Sequence, residues 1–178
     1  MELRRLHHDE GAAVAAMVGR VFTASAGETE GRLVGGLAAD LLGSAAGDDV
    51  QGYVAVAGGR IIGALFFSRL TFDTPVDVRI LAPVAVDTEH QRQGVGRALI
   101  AYGLREMARQ GVSFVVTYGD SAQYAKSGFR SLSPDAVEPP HALSQPVGWL
   151  GQSLTGDSAA PVLGGCRCVK ALDNPVYW

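Results

Sequence analysis

The sequence predicts one domain, residues 1–178, of the mixed α/β class: a mixed sheet with helices on both faces. Three observations predict it. Apolar runs of strand length and amphipathic helical stretches follow one another in the order β-α-α-β-β-β-α-β-α-β-β. The dipeptide Gly58-Gly59 joins two apolar runs and marks a tight hairpin. Two near-continuous apolar runs, Val78 to Val86 and Val112 to Tyr118, flank a helical stretch, so they are parallel neighbours, buried on both faces.

The elements follow in order. Glu2 to Leu6 reads as a short strand, and Asp9 is placed to cap a helix running to about Phe22. Thr29 is placed to cap a second helix, with Leu33, Val34, Leu37, Leu41 and Leu42 at helical spacing. Gln51 to Ala57 and Arg60 to Phe72 form the hairpin strands, and a turn at Asp73 to Pro75 leads to Val78 to Val86. The helix from Gly94 to about Gln110 carries Val95, Leu99, Ile100, Leu104 and Met107 on one side and its arginines on the other. Gly111 ends it. Asp120 or Ser121 caps a short helix through Ser127, and Gly128-Phe129 opens another strand. From Ser133 to Gly165 five prolines argue against long elements, though Ala142 to Leu150 has room for a helical turn. A last strand is expected over about Val162 to Leu172.

Composition narrows the function classes. The net charge is −3 and no basic stripe occurs, which argues against nucleic acid as the main partner. No run is long enough to span a membrane. Asp9, Glu10 and Arg20 interrupt what would otherwise be a faint leader-like N-terminus, so an amphipathic first helix is the better reading. Cys166 and Cys168, one residue apart, suit neither a disulfide nor a zinc site and fit a reduced, cytoplasmic setting. No metal is expected.

Three features carry chemistry. The first is Gln91-Arg92-Gln93-Gly94-Val95-Gly96-Arg97-Ala98, a glycine-bearing turn between a strand and a helix. Unpaired amides and the positive end of the helix dipole make such a start a phosphate site. Close helix packing also explains two glycines there. The turn lacks the third glycine of the dinucleotide fingerprint and the Gly-Lys-Ser/Thr end of a P-loop. The second is Pro83 inside an apolar strand, where proline cannot donate to the ladder. Either the strand bulges or it separates from its parallel neighbour and leaves backbone groups for a ligand's amides. The third is Tyr124, on the short helix after the second buried strand. A phenol there is a proton donor to a leaving group, or part of the core.

Together these residues resemble the GNAT family, the Gcn5-related N-acetyltransferases. Gln91-x-x-Gly94-x-Gly96 matches that family's pyrophosphate motif, and Tyr124-x-Lys126-x-Gly128-Phe129 its Y-x-K/R-x-G-F segment. The strand Leu81 to Val86 and the Gly119-Asp120 turn are closest to the YhbS-like bacterial subgroup. The resemblance covers about Ile80 to Phe129. It implies a largely antiparallel sheet with a splayed parallel strand pair, and acetyl-CoA as co-substrate. Backbone groups of Val84, Ala85 and Val86 would pair with the pantetheine amides. The pyrophosphate would sit on Gln91, Arg92, Gln93, Gly94, Val95, Gly96, Arg97 and Ala98, and Tyr124 would be the general acid.

The resemblance leaves the base open. Some members carry a glutamate inside the strand that here runs from Val78 to Val86, and this strand has no acid there. Asp77 and Asp87 border it, and Asp73 and Glu28 are more remote. The acceptor, a small-molecule or protein amine, is also unspecified. The segment Thr23 to Glu30 and the proline-rich stretch, with Trp149 and His141, are the regions expected to border it. The apolar Val176-Tyr177-Trp178 would cap the sheet or join a homodimer contact. Two alternatives stand beside an acetyltransferase: a non-catalytic acyl-CoA-binding or sensing module, and another nucleotide-binding α/β protein.

Overall fold

A computed structural model describes residues 1–43, 48–156 and 160–178. The chain forms two compact units, one of residues 1–67 and 83–103, the other of residues 68–82 and 104–178.

The first unit contains β1 (Glu2–Arg5), α1 (Gly11–Ala26), α2 (Glu28–Gly43) and β2 (Val50–Ala57). It also holds the first part of β3 (Arg60–Thr71), the last part of β4 (Val78–Val86) and the start of α3 (Val95–Arg109). Its strand order is β1-β2-β3-β4, with β1 antiparallel to β2 from Glu2↔Val56 to Arg5↔Tyr53. The hairpin turn at Gly58-Gly59 forms as expected, both residues at positive φ (55° and 75°), which suits the twist of a two-residue hairpin.

Both helices of this unit differ from expectation at their starts. Asp9 lies in a 3-10 turn, His8–Glu10, and the carboxylate that serves the chain there is Glu10, which accepts from the His7 amide at 2.9 Å. Thr29 is inside α2 rather than at its cap. Consequently the segment Thr23 to Glu30 is no loop: α1 runs to Ala26, Gly27 breaks the chain at φ 94°, and α2 begins at Glu28. The helices meet over glycines. A Cβ on Gly35 would lie 3.0 Å from the Gly19 Cα. Val14, Met17, Val18, Leu37, Ala38 and Leu41 supply the apolar contact and are buried.

The second unit contains the rest of β3, β4 and α3, then β5 (Phe114–Tyr118), α4 (Ser121–Ala125), β6 (Arg130–Ser131), β7 (Trp149–Ser153) and β8 (Arg167–Cys168). Its strand order is β3-β4-β5-β7-β6, with β8 against β3. β4 and β5 are parallel, as expected, while β7 is antiparallel to both β5 and β6. The sheet is thus mixed and mostly antiparallel.

One expectation fails in this unit and another holds over a shorter span. The predicted strand over Val162 to Leu172 shrinks to β8, with a 3-10 turn at Lys170–Leu172. The helical turn expected over Ala142 to Leu150 is confined to Pro146–Gly148, and β7 follows it. Gly151 hides that strand in the sequence, because glycine weakens strand propensity. It is needed here: a Cβ would lie 2.6 Å from the Phe114 ring. Trp178 folds back into this unit, 4% exposed, its indole N–H donating to the Leu172 carbonyl at 3.0 Å. It caps the interior, while Val176 of the same tail is exposed. No described helix is long and apolar enough to cross a membrane.

Candidate active site

In the first unit, β4 delivers the chain to the glycine-bearing turn. Burial along β4 is continuous only from Val78 to Leu81. From Ala82 onward it alternates, with Val84 and Val86 half-buried and Ala85 buried, so the strand is not covered on both faces along its whole length. Asp87 fixes the exit. Its amide donates to the Ile62 carbonyl at 2.9 Å, and its carboxylate accepts from the Glu89 amide at 3.1 Å. Gln91 then donates its side-chain amide to the Val86 carbonyl at 3.0 Å, and Gln93 donates to the Glu89 carbonyl at 2.9 Å. Both glutamines brace the turn with their side chains. The Val86 carbonyl accepts the Gln91 side chain.

The turn itself is left-handed twice. Arg92 has φ 59° and Gly94 φ 84°. An arginine held there costs about 1–2 kcal/mol, and such strain clusters at binding sites. Among the described residues, the first amide after His90 that donates to another residue's carbonyl is that of Ala98, to Gly94 at 3.0 Å. The amides from Arg92 to Arg97 therefore precede the helical ladder, at the positive end of the α3 dipole. Arg92 and Arg97 are exposed beside them. Glycine matters at the seat of the helix too: a Cβ on Gly63 would meet Val95 Cγ1 at 3.3 Å and the Ala85 carbonyl at 3.4 Å, and one on Gly96 would meet Val86 Cγ2 at 3.3 Å. Close helix packing thus accounts for Gly63 and Gly96.

In the second unit the parallel ladder is short. It pairs Val78↔Phe114, Arg79↔Val115 and Ile80↔Val116. Immediately beyond, the Leu81 carbonyl accepts from the Thr117 hydroxyl at 2.8 Å, a side chain standing where a ladder amide would. The paired stretch thus ends before Pro83, in line with a strand that leaves its parallel neighbour. Thr117 is fully buried. Sequence reasoning passed over it, although with Ser113 it is one of two hydroxyl residues inside the apolar run Val112 to Tyr118.

Tyr124 is held by its own motif. Asp120 caps α4 by accepting from the Ala122 amide at 2.9 Å. Gly128, at φ 92°, turns the chain back so that the buried Phe129 packs edge-on against the Tyr124 ring, centroids 5.7 Å apart. On the other side Gly119 admits the ring, since a Cβ there would lie 3.0 Å from Tyr124 Cε2. Burial lifts the phenol above its ordinary pKa, and a hydrogen-bonding contact with the Thr117 side chain partly offsets that. The group is therefore a neutral donor at physiological pH.

The acids considered as bases have other partners. Asp77 binds Arg79 at 3.0 Å and Arg69 at 3.4 Å. Asp73 pairs with Arg167 at 3.2 Å, Asp87 caps its turn, and the exposed Glu28 lies 3.7 Å from Arg32. Trp149 is fully buried and donates to the Val137 carbonyl, so it is core and lines no pocket. His141 pairs with Asp173 at 2.8 Å. Among the described residues no group of three or more His, Cys, Asp or Glu is arranged to hold a metal ion.

Comparisons with known proteins bear on the fold and on the segment from β2 to β6. The model of the acetyltransferase (GNAT) domain matches residues 48–131. The uncharacterized N-acetyltransferase YjhQ of Escherichia coli K12 is 33% identical over 116 residues, 62% of this chain and 64% of that protein. The uncharacterized N-acetyltransferase YhbS of the same strain is 38% identical over 78 residues, 40% of this chain and 43% of that protein. The chain thus spans less than two-thirds of either relative. In fold it is similar to crystal structures of E. coli YhbS in complex with CoA and of a Brucella melitensis GNAT acetyltransferase in complex with acetyl-CoA. The first has TM-score 0.79 at 24% identity, covering 97% of this chain and 92% of that one. The second has TM-score 0.74 at 20% identity, covering 97% of each. Residues 48–131 are thus similar to the GNAT domain, the curated relatives are N-acetyltransferases, and the fold is that of the GNAT structures.

Proposed function

We propose that the protein is an acetyl-CoA-dependent N-acetyltransferase that acetylates a primary amine by direct attack. The observation that carries the reading is the turn ahead of α3, where the amides from Arg92 to Arg97 stand free of the helical ladder beside two arginines. That turn takes the pyrophosphate, with Arg92 and Arg97 adding charge-assisted contacts. Backbone groups of Val84 and Ala85 take the pantetheine amides. Val86 contributes backbone groups too, its carbonyl also accepting the Gln91 side chain.

The amine lone pair attacks the thioester carbonyl carbon, and the carbonyl electrons move onto oxygen. The tetrahedral intermediate collapses, the C–S bond breaks, and its electron pair goes to sulfur. Tyr124 gives that sulfur a proton, and the proton lost by the amine leaves to water or a base. Holding the two reactants in line supplies much of the rate.

Release of free thiol from acetyl-CoA across a panel of amines tests the reading. At least one amine should support turnover, and Tyr124→Phe should lower kcat while leaving acetyl-CoA binding in place. A second reading, a non-catalytic acyl-CoA-binding module, is favoured by the engagement of Asp73, Asp77 and Asp87 elsewhere. It predicts tight acetyl-CoA binding with no thiol release from any amine.

A further inference from the structure

Among the described residues, Arg92 is the one non-glycine residue at positive φ, 59°. An L side chain is disfavoured there, so something has to hold the backbone. Arg92 is exposed, and no hydrogen bond or ion pair among the described residues engages its guanidinium. No contact of that side chain within the protein therefore offsets the strain. The chain on either side is tied down. Asp87 fixes the frame before it: its carboxylate accepts from the Glu89 amide at 3.1 Å, and its carbonyl from the His90 amide at 2.8 Å. Onto that frame Gln91 reaches back five residues to the Val86 carbonyl at 3.0 Å. Gln93 reaches back four residues to the Glu89 carbonyl at 2.9 Å. Arg92 thus lies between two side-chain clasps, and relaxing its backbone swings one of them off its carbonyl.

We propose that Gln91 and Gln93 are positioning residues: they hold Arg92 left-handed, so that its guanidinium is set before CoA arrives and the diphosphate becomes its partner. The inference rests on the pyrophosphate assignment proposed above. Backbone strain that no internal contact offsets, in a turn whose amides stand free, is what a preorganised binding site shows. In a relaxed turn, Arg92 would have to enter the disfavoured conformation as the ligand bound, and binding would be weaker by that cost. With both clasps made, the cost falls at folding instead. The chemistry selected is that of a diphosphate. A fixed, always-charged fork beside amides at the positive end of a helix suits an anion with several oxygens, and does little for a thioester or an amide. The arrangement lowers the stability of the free protein and tightens its hold on the charged end of the ligand.

The experiment compares the wild type with Arg92→Gly, Gln91→Met, Gln93→Met and the double variant Arg92→Gly/Gln93→Met. Each is titrated calorimetrically with CoA and with pantetheine, and the free proteins are melted. Methionine matches glutamine in length and cannot donate. Arg92→Gly removes both the strain and the guanidinium. It should raise Tm by about 1–3 °C, since glycine suits this conformation. It should also weaken CoA binding about tenfold and leave pantetheine within about twofold. Gln91→Met and Gln93→Met should each weaken CoA binding about fivefold. In the Arg92→Gly background the Gln93→Met effect should shrink to within about twofold, because no arginine is left to hold. With an amine that supports turnover, Gln93→Met should raise KM for acetyl-CoA about fivefold and keep kcat within about twofold, the split of a residue that acts on binding alone. The proposal is overturned if Arg92→Gly lowers Tm or leaves CoA affinity intact, or if the methionine variants bind CoA as the wild type does. It is equally overturned if the Gln93→Met loss is as large without Arg92 as with it, or falls on kcat instead of KM. A wild type that binds CoA no more tightly than pantetheine sinks the pyrophosphate assignment itself. The two failures are told apart because that last result is read on the unmutated protein.

Discussion

Replacing Gly94 by alanine separates the two duties of the turn before α3. Gly94 has φ 84°, and a Cβ there would meet nothing within 4 Å. Steric overlap therefore contributes nothing, and the cost is backbone strain of about 1–2 kcal/mol. A less flexible unfolded chain offsets about 0.4–1 kcal/mol of that. The net destabilisation is about 1 kcal/mol, a fall in Tm of roughly 2–4 °C for a chain of this size. Ligand binding should suffer more. The turn is exposed, and it relieves the strain by rotating Gly94 out of the left-handed region, which pulls the amides from Arg92 to Arg97 out of alignment. Losing two hydrogen bonds to a charged group, at about 1.5 kcal/mol each, weakens binding about 100-fold. Calorimetric titration with CoA and with pantetheine, which lacks the pyrophosphate, is the assay. CoA affinity should fall about 10–100-fold while pantetheine affinity changes less than about twofold. Unchanged CoA affinity at the expected Tm, or an equal loss for both ligands, would refute the phosphate assignment.

Other expectations follow from the same structure. The Glu10 carboxylate, bonded to Arg4 at 2.6 and 2.8 Å, has its pKa lowered to about 2. Its stabilising contribution is full above the unfolded value of about 4.5 and is lost as pH falls toward 2. Glu10→Gln should therefore cost about 1–3 kcal/mol at pH 7 and almost nothing near pH 2, as read by urea melts across that range. Gly35→Val should push α1 and α2 apart against the Gly19 Cα and lower stability by about 2 kcal/mol. Thermal melts check it, and an unchanged Tm would contradict the packing described. Burial lifts the thiols of Cys166 and Cys168 to about 12 and about 11. Alkylation of the native protein at pH 8 should accordingly run at least about 100-fold slower than in denaturant; equal rates would refute the burial.

What the sequence disclosed was local. The strand, turn and helix from Val78 to Arg109 are legible because burial, glycine and helical period all point the same way along one stretch of chain. Tyr124 is legible for the same reason: cap, tyrosine, glycine and phenylalanine lie within ten residues and contact one another. What escaped was decided at long range. β7 exists because β5 offers it a partner from Phe114 to Tyr118, and its central Gly151 is chosen by the Phe114 ring rather than by local preference. Thr117 is placed by a carbonyl far away in sequence, that of Leu81, which accepts its hydroxyl. The acids named as bases show the converse. Asp77 and Asp87 border the strand in sequence and Asp73 lies further off, and the structure gives each of the three a cation or a cap.

The strand order β5-β7-β6 has a practical consequence for anyone who trims this chain. The recognisable family segment ends at residue 131, whereas β7 begins at Trp149. A fragment cut to residues 48–131 would retain every motif and discard the strand that hydrogen-bonds β5 from Phe114 to Tyr118. It would bare an edge of apolar residues, Phe114, Val115 and Val116, ready to pair with another copy. Such a fragment should precipitate or form sheet-rich aggregates instead of folding. The segment that identifies the protein is therefore shorter than the smallest piece of it that can stand alone in water.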